Sequence, residues 1–353
     1  MSAEVPKVEA ANAPAVEQTA NVPAVKETAN GDAVEALAEL EAANDAITLD
    51  GSNVEAWIRK GAALIRLQRM EEALEAQRRV TELAPTDAEA WGGLGFVLWQ
   101  LDQKEEALKA LTKATEINSE LALAWRVKSS VHLELGQYGD SLTASDKAAE
   151  FDPTNLSKWR FHFDRAKVLN GLQRSGEALE ALNKVAELFP EAPSDPPVLM
   201  QKGAVLNDLG RYEEALLILK RCAELIPEGP NRGFVFYLQG VSLNGLRQWK
   251  EAVEALQEAT DVSPEMLSNG YLFLHRGIAF NSLGLFKEAL EALTQATALI
   301  PDSASQGLSL LQKGISLNGL GEWHQHSTQC KRQLKSLPSC SRTSRYGSTE
   351  MWR

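Results

Sequence analysis

Positive charge is in short supply in this sequence: 36 Lys and Arg stand against 48 Asp and Glu, a net charge of −12. A protein that grips a phosphate backbone needs a basic surface, so nucleic acid is excluded as the main partner. Cysteine is scarcer still. Cys222, Cys330 and Cys340 are too few and too irregularly spaced for a disulfide framework or a zinc-ligand set, and they fit a reducing, cytoplasmic compartment. No apolar run approaches the length of a membrane span, and the N-terminus lacks the basic-then-apolar pattern of a secretion signal. The marks of chemistry are missing too. No Gly-rich phosphate loop follows a strand, and no Ser or Cys sits in the turn of a nucleophile elbow. His132 and His162 fall on core-stripe positions and His275 on a helix face. The expectation is a cytoplasmic, non-enzymatic protein with no catalytic residue, no cofactor, no membrane contact and no nucleic-acid partner.

What is present is repetition. Ala88 to Leu121 holds two apolar-periodic segments either side of a short break at Asp102 and Gln103. Trp91, Leu94, Gly95 and Leu98 recur at helical spacing in the first, and Ala107, Leu108, Leu111 and Ala114 in the second, which predicts a tight pair of amphipathic helices. Trp57, Trp91 and Trp125 stand 34 residues apart, each followed four residues on by Gly61, Gly95 or Ser129 and sixteen on by Ala73, Ala107 or Ser141. Later the period lengthens: Pro190, Pro227, Pro264 and Pro301 are 37 apart, with small residues Ala166, Gly203, Gly240, Gly277 and Gly314 in the first helices. Small residues let the paired helices approach closely, each Pro ends a helix, and Gly136, Gly210, Gly284 and Gly321 sit at breaks that favour left-handed backbone.

A W-x2-L-G phrase, an Ala in the second helix and a closing Pro, recurring over roughly residues 54–323, resemble the tetratricopeptide repeat. The resemblance implies an all-α fold, a right-handed superhelical solenoid of antiparallel helix pairs, whose function is binding a protein or peptide. The expected divisions are a disordered Ala/Pro/Val-rich tail at 1–31, a capping helix at 32–53, three 34-residue repeats at 54–155, and four 37-residue repeats plus the first helix of an eighth at 156–323. The three extra residues of each long repeat fall at the turn into the next first helix, so a change of pitch is expected near 153–160. Residues 324–353 abandon the pattern and carry a local charge of +5, reading as a degenerate cap or a shifted reading frame. His324, His326 and Cys330 there lack a fourth ligand, so no metal site is expected.

With the Trp of each repeat numbered position 4, positions 4, 8 and 11 form the core of the pair. Positions 2, 5, 9 and 12 form another side. In proteins that this chain resembles, that side lines a concave groove for peptides. Position 12 is Asn170, Asn207, Asn244, Asn281 and Asn318 in five successive repeats, and position 5 is Met200, Tyr237, Leu274 and Leu311. An Asn amide can pair with a peptide C=O and N–H together, so these residues are the candidate peptide-binding row. The competing reading is that the asparagines bond the turn that follows them. Bases recur at position 7 as Lys60, Lys128, Arg165, Lys202, Arg276 and Lys313, where they are expected to lie along the packed helices. The Lys and Asn set with which related repeats grip a terminal carboxylate is absent: Ile58 and Ala62, Met200 and Ala204 hold its places. The first reading of function is a scaffold that binds a peptide or helix in the groove. The alternative is a docking or regulatory subunit of a separate enzyme or assembly complex. Oligomeric state is left open.

Overall fold

The computed structural model describes residues 28–226, 229–300 and 303–321. The expectations for residues 1–27, Pro227, Pro301 and 322–353, His324, His326 and Cys330 among them, lie outside these. Every regular element among the described residues is helical, and the chain divides into two compact arrays, one ending at Phe189 and one beginning at Pro190. That division falls one repeat later than the change in repeat length.

The first array holds α1 (Thr28–Leu49), α2 (Val54–Arg66), α3 (Met70–Leu83), α4 (Ala88–Gln100), α5 (Lys104–Ile117), α6 (Ala122–Glu134), α7 (Tyr138–Phe151), α8 (Trp159–Gly171) and α9 (Ser175–Leu188). The second holds α10 (Pro196–Asp208), α11 (Tyr212–Leu225), α12 (Pro230–Gly245), α13 (Trp249–Val262), α14 (Gly270–Ser282), α15 (Phe286–Leu299) and α16 (Ser303–Gly319). From α2 onward, first and second helices pair as α2 with α3, α4 with α5, and so on to α14 with α15. Helix α1 packs on α2 through the buried Ala36, Leu40 and Ala43. It begins at Thr28, four residues before the boundary expected from composition.

Local chemistry explains where the helices start and stop. Asn53 and Asp87 cap α2 and α4 by accepting from Ala56 and Glu89 N–H at 3.0 and 2.8 Å. The position-4 indoles pin the turn before each first helix: Trp57, Trp91 and Trp125 donate Nε1–H to the carbonyls of Gly51, Pro85 and Ser119 at 3.0, 2.9 and 2.8 Å. At the break between helices, position 15 is left-handed in every repeat. Gly136, Gly210, Gly284 and Gly321 have φ of 70–75°, and Gln68, Asp102, Gln173 and Arg247 adopt φ of 57–61° without the glycine. The inserted residues of the long repeats form short 3-10 turns at Pro153–Ser157, Ala192–Ser194 and Pro264–Ser268.

In four repeats the small glycine of the first helix meets a Leu of the second helix, four residues beyond the expected Ala, whereas Gly61 meets Gln77. A Cβ added at Gly95, Gly203 or Gly240 would stand 2.6, 2.5 or 2.6 Å from Leu111, Leu219 or Leu256. Side chains on a helix lean toward its N-terminus, so the later Leu reaches back over the crossing. In the third repeat both small positions are serines, and they exchange bonds: Ser129 Oγ donates to the Ser141 carbonyl at 2.9 Å and Ser141 Oγ to the Ser129 carbonyl at 2.7 Å.

Candidate peptide-binding face

The first helices of successive repeats lie beside one another, α4 against α6 and α6 against α8 in the first array, and α10 against α12, α12 against α14 and α14 against α16 in the second. Positions 2, 5, 9 and 12 therefore share a face within each array.

In the second array most of that face is closed. Met200, Tyr237 and Leu274 are buried, Tyr237 to 2% exposure. Its ring lies 5.6 Å from Phe234 and 6.1 Å from His275. The asparagines expected to meet a peptide meet the neighbouring first helix instead. Asn207 Nδ2 donates to the Leu238 carbonyl at 3.0 Å and its Oδ1 accepts from Ser242 Oγ at 2.7 Å. Asn281 repeats this with the Gln312 carbonyl at 2.9 Å and Ser316 Oγ at 2.7 Å. Asn244 donates to the His275 carbonyl at 2.9 Å, but Ala279 stands where the other repeats have Ser, and the buried Asn244 Oδ1 has no partner among the described residues. The side chains of Asn207, Asn244 and Asn281 thus clamp one repeat to the next and do not bond their own turn. A buried amide left unpaired is costly, and the adjacent backbone is the acceptor within reach. Asn170, in α8, is also buried, its Oδ1 without a partner among the described residues. Only at α16, the last described helix, are the positions open: Leu311 is 45% exposed and Asn318 is exposed.

The first array keeps its face accessible. Leu123 is 46% exposed, Arg126 and Arg160 are exposed, and Phe163 and Lys167 are half-buried. Lys167 Nζ lies 5.7 Å from the Phe163 ring. Between these cations sits Asp164. Burial pushes its carboxyl above the usual range, while the charges of Lys167, Arg160 and Arg126 pull it down. Trp99, on the same face, donates Nε1–H to Glu134 at 2.9 Å, and Lys104 stands 3.6 Å from that carboxylate. The sequence reading passed over this group, although positions 5, 2, 5 and 9 hold Arg126, Arg160, Phe163 and Lys167. The asparagine register was the more conspicuous signal.

The histidines separate by surroundings. His132 and His162 are half-buried, not core: His132 Nδ1 lies 2.6 Å from Gln137 Oε1 and His162 Nε2 2.9 Å from the Leu156 carbonyl, the latter taking the turn-pinning place of the Trp. His275 is buried, with no hydrogen-bond partner for either ring nitrogen among the described residues, and burial pushes its pKa down to about 4. Two position-7 lysines lie against rings, Lys60 at 5.1 Å from Trp57 and Lys128 at 5.0 Å from Trp125. Among the described residues no group of three His, Cys, Asp or Glu gathers as a metal site would require, and no helix is long and apolar enough to cross a membrane.

Comparison with known proteins agrees with this construction. Two tetratricopeptide-repeat family models match residues 28–88 and 88–121. A model described as the N-terminal domain of the type VII (ESX-1) secretion system protein EccA1 matches residues 194–324. A search of the curated proteins finds no match. Among solved structures, a chain of the APC/C hetero-tetramer Cut9–Hcn1 is similar at 15% identity and TM-score 0.55, covering 79% of this chain and 52% of that one. This chain therefore spans about half the length of that relative. A tetratricopeptide repeat protein from Parabacteroides merdae ATCC 43184 is similar at 15% identity and TM-score 0.52, covering 75% of this chain and 99% of that one. At these identities the likeness is one of fold.

Proposed function

This chain belongs to the tetratricopeptide-repeat family, and on that footing we propose that it is a cytoplasmic, non-enzymatic scaffold that binds a protein segment on the first-helix face of the first array. The observation that carries this reading is the accessibility of that face. Leu123, Arg126 and Arg160 stand exposed on it, while the core of the array closes beneath them through Val127, Val131 and Leu111. An apolar and hydrogen-bonding surface on rigid helices, with no catalytic constellation beside it, suits recognition of a peptide or helix. The partner is protein, neither nucleic acid nor membrane, because the chain as a whole is acidic. The test is binding of the full chain to a random 12-residue peptide library. Selected sequences should share a motif, and their binding should fall when Leu123→Asp closes the face. Failure to select any motif counts against the reading.

A second reading is that the repeats are a docking arm in a larger assembly. The match of residues 194–324 to the N-terminal domain of a secretion-system protein favours it. Purification of the full chain from its own cells distinguishes the two: one stoichiometric companion supports the docking arm, and a set of unrelated chains sharing a motif supports the scaffold.

A further inference from the structure

Most arginines of the first array are already paired. Arg59, Arg69, Arg79 and Arg174 bond Glu55, Glu72, Glu82 and Glu177 on their own helices or turns, and Arg66 and Arg165 pair with Glu39 and Asp146 on neighbouring helices. Arg126, Arg160 and Lys167 have no salt-bridge partner among the described residues. They come from adjacent first helices, α6 and α8, at positions 5, 2 and 9 of the same face, and their charges bear on Asp164 of α8. Glu134 also faces Asp164, and Asp152 lies in reach of Arg126, but Lys104 and Lys158 stand 3.6 and 3.8 Å from those two carboxylates, so the cations outnumber the acids here in a chain of net charge −12. Beside them are Phe163, half-buried, and Leu123, 46% exposed and three residues before Arg126.

We propose that this group is the binding site for an acidic segment of a partner protein. Carboxylates of the segment pair with Arg126, Arg160 and Lys167, and an apolar side chain packs on Phe163 and Leu123. Charge complementarity selects this occupant. A bilayer or a nucleic-acid duplex is broad and would also meet Glu134, the exposed acid of α6 beside these cations, whereas a single peptide can be placed on the cations. Asp164 spaces the cations and competes with the incoming carboxylates. This proposal deepens the scaffold reading and rests on it.

The test is fluorescence anisotropy on the full chain with three labelled 12-residue peptides, alternating Leu or Phe with Glu, Lys or Ser. The acidic peptide binds; its affinity falls at least about tenfold with Arg126→Glu and Arg160→Glu together and falls again as salt is raised. Asp164→Asn, which removes the competing acid, tightens it several-fold, a gain that loss of folding cannot mimic. Lys109→Glu with Lys113→Glu on α5 serves as the control and changes nothing. Equal affinity of the acidic peptide for the charge-reversed chain overturns the proposal. So does preference for the Ser or Lys peptide, with the scaffold reading intact. Sedimentation with phosphatidylserine vesicles that the reversal abolishes overturns it in favour of a lipid surface. If neither these peptides nor the random library yields a ligand, both readings fail.

Discussion

Ala279 marks the place in the inter-repeat clamp where a donor is missing. Ser242 and Ser316, its counterparts, are fully buried and donate to Asn207 and Asn281, so a hydroxyl fits this position. Ala279→Ser should pair the orphaned Asn244 Oδ1 and raise stability by about 1 kcal/mol, read as a higher urea midpoint at unchanged slope. Arg247 holds a left-handed φ of 61° that costs a side-chain-bearing residue about 1 kcal/mol. Arg247→Gly should recover part of that cost in the same measurement. His275 sets a pH dependence. Its folded pKa is about 4, below the usual 6.5, so its neutral form is favoured by folding. The associated stability is present above about pH 6.5 and is lost as pH falls toward 4, up to about 3 kcal/mol. His275→Gln should flatten the decline in melting temperature between pH 6.5 and 4; an unchanged slope would assign the loss to other groups.

At the scale of the helix pair, contact between Gly and Leu sets how closely the axes approach. The Cβ introduced by Gly240→Ala would lie 2.6 Å from Leu256 Cγ, and both residues are buried. The substitution should cost about 1–3 kcal/mol by forcing α12 and α13 apart. Leu256→Ala alone should cost about 2–5 kcal/mol by leaving a cavity. The double variant should lose less than the sum, because each change relieves the other. Additive losses would show that the two residues are not in contact. Between repeats the same logic uses an aromatic ring: Tyr138, Tyr212 and Phe286 lie over Gly171, Gly245 and Gly319 of the following first helix, each within 2.5 Å of where a Cβ would be.

At the scale of the molecule, each array is a line of repeats touching their neighbours, and stability is then close to a sum of repeat and interface terms. A lesion at Gly240 should therefore lower hydrogen-exchange protection in α12 to α15 and leave α2 to α5 protected. Uniform loss across the chain would mean that the arrays unfold as one. Charge is also arranged along the chain. Acids open most second helices, Glu71, Glu105, Glu213 and Glu288 among them, where the helix dipole favours them. Arg126, Arg160 and Lys167, which have no salt-bridge partner among the described residues, stand on the neighbouring helices α6 and α8.

The fold and its punctuation were determined by the sequence alone. Periodicity, the small residue at position 8 and the break at position 15 are local requirements, and eight recurrences make each of them legible. The glycines at Gly136, Gly210, Gly284 and Gly321 marked the left-handed turn, and Gln68, Asp102, Gln173 and Arg247 follow because they share its register. Packing decided which faces stay open. Whether an Asn at position 12 is free depends on a carbonyl 31 residues away and a Ser or Ala 35 residues away, as Asn207, Asn244 and Asn281 show. Likewise Arg126 and Lys167 act on one carboxylate only because α6 and α8 lie side by side. Burial and charge pairing are properties of neighbours brought together by folding, and a periodic sequence specifies the repeat before it specifies what each repeat leaves exposed.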